Sequence, residues 1–239
     1  MIEFRNVTKS YKDRVTKKRH YVFRNLSFSV PPGRNVALIG RNGAGKSTMM
    51  RLIAGNDRPD SGKIITPDSI SWPVGLSGGF QSSLSARENV KFVARIQGKR
   101  GADLQDIIRR VEEFAEIGEY FDRPMRTYSS GMRSRVGFGM SLAFEFDYYL
   151  VDEAMSVGDA HFRAKAAKAF KDKVGKANII LVTHGMGQVR QLCDCVLLLE
   201  KGQVKLFDDV EEGISAYEGD AGKSRNKRGI VDAMLVNDE

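Results

Sequence analysis

Runs that alternate apolar and polar residues open the chain. Ile2–Val7 and Tyr21–Val30 alternate well enough to be strands, antiparallel to one another. The basic stretch Lys12–Arg19 between them reads as a solvated loop. Asn35-Val-Ala-Leu-Ile-Gly40 is apolar without alternation, which predicts a short buried strand. It runs into a glycine-rich turn and then a helical stretch that closes on Gly55, while Arg58–Ile64, with Pro59 and Gly62, reads as a turn.

Helical spacing takes over next. Ser85-Ala-Arg-Glu88 fits the capping box, in which serine and glutamate satisfy each other's free backbone amides. It predicts a helix over 85–97, followed by others over 103–117 and from Ser130 through Phe144. Gly137 and Gly139 in the third helix each cost about 1 kcal/mol against alanine, so close packing is expected there. These helices read as a separate subdomain. Strands at 148–152, 178–183 and 195–200 then alternate with helices at 160–173 and 186–192, the pattern of a parallel sheet covered by helices. Residues 200–207 predict a hairpin, and residues 222–229 form a polar, basic tail.

Composition narrows the picture only a little. A chain of 239 residues with 41% hydrophobic content can bury a real core. The net charge of +8 suits an anionic partner without choosing among nucleotide, nucleic acid and membrane. The start carries no secretory signal, and no apolar stretch approaches the ~20 residues needed to cross a bilayer, so a soluble cytoplasmic chain is expected. Cys193 and Cys195 are too few for a metal site and read as buried small side chains in a reducing compartment.

The chemistry enters at Gly40-Arg-Asn-Gly-Ala-Gly-Lys-Ser47, which fits the phosphate-binding loop G-x-x-x-x-G-K-[ST], with a strand before it and a helix after. Its glycines let backbone N–H groups turn inward around phosphates. Lys46 reaches the β- and γ-phosphates, and the Ser47 hydroxyl ligates Mg²⁺. Two adjacent acids, Asp152 and Glu153, end the apolar run from Tyr148. Beside a Mg–nucleotide, Asp152 is the natural metal-side acid and Glu153 is placed to orient or deprotonate the attacking water. His184 follows the strand at 178–183, on the edge where open α/β sheets bind ligands, and can hydrogen-bond the γ-phosphate or be structural. Tyr128-Ser-Ser-Gly-Met132 starts a helix that Ser129 can cap. Its free N–H groups make either a second anion site or a plain N-cap.

Phosphate loop, helical insert, Ser-x-Gly signature, paired acids and isolated histidine, in this order over residues 1–218, resemble the nucleotide-binding subunit of an ABC transporter. The resemblance implies an α/β fold: a P-loop NTPase core with a mostly parallel sheet, an N-terminal antiparallel β subdomain and an inserted helical subdomain at about 84–145, with 219–239 as a basic tail. It implies ATP and Mg²⁺ as cofactors. Tyr11 stacks on adenine, and Gly40, Arg41, Asn42, Gly43, Ala44, Gly45, Lys46, Ser47 and Thr48 hold the phosphates. The signature Ser129, Ser130, Gly131 and Met132 acts on the ATP of a second copy, with Ser130 standing where the family has glycine and Met132 where glutamine is common. Asp159 belongs to an interface loop. Gln81 is the coupling glutamine and reaches the metal, Asp152 does so through water, and Glu153, His184 and Lys46 carry catalysis.

Two departures from the family pattern, Ala154 after the glutamate and a short interval between Gln81 and Ala86-Arg-Glu-Asn-Val90, look like the subgroup that exports bacterial surface polysaccharides. The stretches 40–48, 70–81, 127–139 and 147–160 together look very much like the ATPase of capsular polysaccharide exporters, and O-antigen and teichoic acid exporters are less similar. By that resemblance the chain is a homodimer, peripheral to the cytoplasmic face of the bacterial inner membrane, bound to a polytopic membrane subunit, with no nucleic acid. The competing expectations are a soluble ABC ATPase acting on nucleic acid or ribosomes, and a transporter of another substrate.

Overall fold

The computed structural model describes residues 1–74, 79–152 and 159–219. In chain order the elements are β1 (Ile2–Lys12), β2 (Arg19–Val30), β3 (Val36–Gly40), α1 (Lys46–Ile53), β4 (Ser61–Ile65), α2 (Ala86–Ile96), α3 (Gly101–Ala115) and α4 (Ser130–Ala143). They continue with β5 (Tyr148–Asp152), α5 (Ala160–Val174), β6 (Asn178–Val182), α6 (Met186–Leu192), β7 (Cys195–Glu200) and β8 (Gln203–Phe207). Residues 210–219 are also helical. Two units result, Met1–Thr66 with the residues from Leu181 on, and Pro67–Ile180.

In the first unit β1 lies between β2 and β4, antiparallel to both. The alternation that predicts β1 buries Ile2, Phe4 and Val7, and Phe4 stacks on Phe28 with centroids 4.5 Å apart. The ladder is kinked where Asn6 and Asn25 take φ of 52° and 51°, a left-handed conformation that asparagine tolerates better than most residues. The amides displaced from the ladder find side chains instead: Asn6 N–H donates to Ser27 Oγ at 2.8 Å and Asn25 N–H to Thr8 Oγ1 at 3.0 Å.

Residues 58–64 are not the turn that Pro59 and Gly62 predict. From Ser61 this stretch is β4, paired through Glu3↔Ile65, Phe4↔Ile64 and Arg5↔Lys63. Gly62 makes the approach possible, since a Cβ there would stand 2.3 Å from the Asn6 carbonyl oxygen. The other strands of this unit follow the expectation. β3 is buried along its whole length and runs parallel to β7, from Val36↔Cys195 to Gly40↔Leu199. β7 turns through Lys201 and Gly202 into antiparallel β8. Cys193 and Cys195 are buried free thiols, and burial pushes the Cys193 thiol up to about 12.

The second unit packs α2, α3 and α4 around Val90, Ile107, Val111, Phe121, Met125 and Val136. The capping box forms as predicted: Glu88 N–H donates to Ser85 Oγ at 3.1 Å, and Ser85 N–H donates to Glu88 Oε2 at 2.8 Å. α3 starts and ends two residues before the predicted bounds, and its end is set by Glu116, which turns left-handed at φ 50°. The close packing expected at the glycines of α4 is present at Gly139, where an added Cβ would lie 3.1 Å from Phe114 Cδ1 on α3. Ser69–Val74 runs along β5, with Ser71 N–H donating to Tyr148 O and Val74 N–H to Leu150 O. Trp72 fixes this run by donating from Nε1 to Ser141 Oγ at 2.9 Å and by edge contacts with Phe144 and Phe146. Among the described residues no helix is long and apolar enough to cross a membrane.

Candidate functional site

The phosphate loop joins the last residue of β3 to the first of α1. Gly43 and Gly45 take φ of 80° and 107°, which turns successive N–H groups to one side and is open to glycine at little cost. Gly45 also has no room for a side chain, since a Cβ would stand 2.6 Å from Val22 Cγ1 and 2.9 Å from Phe23 Cζ. Ala44 N–H closes the turn on Arg41 O at 3.0 Å. Lys46 Nζ donates to Gly40 O at 2.6 Å and to Arg41 O at 3.2 Å, so the loop winds around its own ammonium group. Arg41, Asn42, Gly43 and Ser47 are exposed and Thr48 is buried. Exposed loop residues at a helix start, beside a lysine, are the elements from which anion sites are built.

Tyr11 lies near the end of β1 in the same unit, its ring half-buried. Its hydroxyl donates to Asp57 Oδ2 at 2.7 Å and accepts from Arg51 at 3.2 Å. Lys9 Nζ stands 4.9 Å from the ring centroid and itself donates to Asp57 Oδ1 at 2.6 Å. The phenol is thus held by a small charged network that fixes the plane of the ring. His184 is exposed, two residues beyond the end of β6. The turn that carries it is tied by Gly185 N–H to Thr183 Oγ1 at 3.0 Å.

In the second unit, Asp152 is the last residue of β5, half-buried after four buried residues. Glu153 lies outside the described residues. Ser129 caps α4, its Oγ accepting from Met132 N–H at 3.2 Å, while Tyr128 is buried and donates to the Tyr120 carbonyl oxygen. Ser129, Gly131 and Met132 line a cavity of ≈ 550 Å³ together with Arg135, Asp159 and the turn at 116–120. Asp159 caps α5 by accepting from Phe162 N–H at 2.8 Å and pairs with Arg135, whose guanidinium lies 4.8 Å from the Phe162 ring centroid. That amide first, and then Arg135, hold the Asp159 carboxyl below the usual carboxylate range. Ser129 and Asp159, 30 positions apart in the chain and expected from the sequence as signature and interface residues, therefore share one wall.

Gln81 is exposed, and its backbone is clamped by a residue the sequence reading passed over. Asn89, only 4% exposed, accepts from Gln81 N–H at 2.8 Å through Oδ1. Its Nδ2 donates to Ser85 O at 2.8 Å and Gln81 O at 3.1 Å. A signal was present: Asn89 is a polar residue within the apolar stripe Ala86, Val90, Val93 and Ala94 of a helix. Arg135 was also missed, because nothing in its local sequence points to Asp159. Ser47 in the first unit, and Asp152 and Gln81 in the second, each carry an oxygen donor of the type Mg²⁺ accepts, an ion that takes few protein ligands and completes its shell with phosphate and water. Among the described residues no three of His, Cys, Asp and Glu gather as a metal site made by protein alone would require.

The family model described as ABC transporter matches residues 23–156. A polysialic acid transport ATP-binding protein, KpsT of Escherichia coli, is 53% identical over 91% of this chain and 96% of its own length. The capsule polysaccharide export ATP-binding protein CtrD of Neisseria meningitidis serogroup B is 40% identical over 91% of this chain and 98% of its own. Among solved structures, a dimeric ATP-binding cassette in a post-hydrolysis state bound to ADP and Pi superposes with a TM-score of 0.69. It covers 87% of this chain and 98% of that one at 24% identity, a likeness of fold. With a P-loop α/β fold and an ABC match over more than half its length, the chain is an ATP-binding ATPase that belongs to the ABC transporter family.

Proposed function

We propose that this ATPase powers export of a capsular or related lipid-linked polysaccharide across the bacterial inner membrane, as a head-to-tail dimer bound at the cytoplasmic face to two copies of a polytopic membrane subunit. The observation that carries the substrate class is the 53% identity, over nearly the full length of both chains, to a polysialic acid transport ATP-binding protein. Residues 1–218 act as the ATPase domain, the helices at about 84–145 as its inserted subdomain, and 219–239 as a tail.

In this reading Tyr11, held by Asp57, offers its ring to adenine, and the amides of residues 43–48 with Lys46 take the phosphates. Mg²⁺, when bound with the nucleotide, neutralises phosphate charge, and Ser47, Asp152 through water and Gln81 are the residues that hold it. Glu153 takes the proton of the attacking water, and His184 donates to the γ-phosphate. From the second copy, Ser129 and the amides at the start of α4 reach the same phosphate. Their exposure along the cavity shared with Asp159 supports a surface that a partner completes.

The test is complementation between dead sites. Lys46→Ala and Ser129→Arg homodimers each carry two broken sites, while their heterodimer carries one complete site and one with both defects. Mixing the two inactive proteins restores part of the ATPase activity if sites are shared. Should mixing restore nothing while cysteines placed near Ser129 and Gly43 cross-link only within one chain, the head-to-tail dimer is refuted. The substrate class is tested separately, by whether deletion of the gene abolishes surface polysaccharide and the Glu153→Gln variant fails to restore it.

A further inference from the structure

The basic stretch between β1 and β2 holds none of the residues assigned to the nucleotide, and the structure gives it a definite form. β1 and β2 pair to their ends, through Tyr11↔His20 and Lys12↔Arg19, and the turn beyond them is tightly bonded. Asp13 N–H donates to Lys18 O at 2.9 Å and Lys17 N–H to Asp13 O at 3.1 Å. The Asp13 carboxylate folds inward, its Oδ1 accepting from Val15 N–H at 2.9 Å and Thr16 N–H at 2.6 Å.

This use of Asp13 has an electrostatic result. The one acid of residues 12–19 is spent on the turn's own amides, leaving Lys12, Arg14, Lys17, Lys18 and Arg19 exposed around the tip. Among the described residues no carboxylate pairs with Arg14, Lys17 or Lys18, and Arg19 only approaches Asp60 at 3.9 Å. At the apex stands Val15, 89% exposed, against 60% and 67% for Phe92 and Ile96. A soluble polyanion would be served by the cations alone. Cations ringing an exposed apolar apex match the chemistry of a lipid interface, where headgroup phosphates lie just outside the acyl boundary.

We infer that the β1–β2 hairpin is a docking finger for an anionic lipid surface, its cations meeting headgroup phosphates and Val15 entering the interface. The inference rests on the proposed work at a membrane face, but its test needs neither the membrane subunit nor the transported substrate. A basic residue near an anionic surface contributes about fivefold in partitioning, so removing three costs on the order of 100-fold.

The experiment is co-sedimentation of the full chain with phosphatidylcholine vesicles, with and without phosphatidylglycerol. The wild type is expected to bind only the phosphatidylglycerol vesicles and to leave them as salt shortens the Debye length. The variant Arg14→Gln/Lys17→Asn/Lys18→Gln is expected to keep its circular dichroism and basal ATPase rate while losing about 100-fold in partitioning. Val15→Ser is expected to lose severalfold with the salt dependence unchanged. Wild-type binding by the triple variant overturns the inference. So does loss of binding only when the tail cations Lys223, Arg225, Lys227 and Arg228 are replaced. Binding to a DNA oligonucleotide as tight as to the vesicles, with no effect of Val15→Ser, assigns the hairpin to a soluble polyanion instead. If vesicle binding fails while mixed mutants regain ATPase activity, the finger is lost and the dimeric ATPase stands. Vesicle binding together with no rescue on mixing and cross-links only within one chain leaves the finger and removes the shared site.

Discussion

Replacing Asn89 with alanine tests how the Gln81 segment is held. The side chain is almost fully buried and serves four backbone groups, accepting from Gln81 N–H and sharing its two amide hydrogens among Gln81 O, Ser85 O and, at 3.4 Å, Leu84 O. Those carbonyls have second partners, since Leu84 N–H also donates to Gln81 O, Asn89 N–H to Ser85 O and Met125 N–H to Leu84 O. The group left without a protein partner by the substitution is therefore Gln81 N–H. One orphaned amide costs about 1–3 kcal/mol and the two lost donations about 0.5–1.5 kcal/mol each, partly offset by water at exposed Gln81, for a net loss of about 2–4 kcal/mol. Urea denaturation measures that loss. Hydrogen exchange localises it, because the Gln81 amide should exchange faster while amides inside α4 change only with global stability. Should Asn89→Ala match the wild type within about 0.5 kcal/mol with Gln81 exchange unchanged, the clamp does not hold the segment.

Other outcomes follow from the same physics. Lys46→Ala removes a charge-assisted contact to phosphate and weakens nucleotide binding by about 10- to 150-fold in a fluorescence titration. An unchanged affinity would remove Lys46 from the phosphate site. Asp147 accepts from the Ser69 hydroxyl at 2.6 Å and from Ser69 N–H at 2.7 Å, and these hold its carboxyl below the usual carboxylate range. With the folded value depressed, the unfolded chain binds the proton first. The stabilisation is complete above about pH 4 and is lost as pH falls through the lowered folded value. Wild type and Asp147→Asn should therefore converge in stability over that acid window, and a gap independent of pH between about 2 and 5 would contradict the assignment.

Local order alone made much of this molecule legible. The unbroken apolar run at Val36–Gly40, the glycine-lysine loop after it and the Ser85–Glu88 capping box each place their signal within a few residues, where backbone conformation is decided by neighbours. The structure returned each of them where the sequence predicted it. Residues 58–64 were misread for the complementary reason. Pro59 and Gly62 carry turn signals, and β4 has no buried alternation of its own; it is a strand because the edge of β1, more than 50 positions earlier, offers it hydrogen bonds and a gap that only Gly62 fits. Asn89 stood in plain view as a polar residue in an apolar stripe, but which backbone it would satisfy depended on how residues 81–85 fold back over α2. The pairing of Arg135 with Asp159 and the cavity they share with Ser129 join residues with no local relation. Chain sequence settles which conformations are cheap over a few residues. Which distant groups then meet, and so where a buried polar atom or an ion pair finds its partner, is decided by packing of the whole chain.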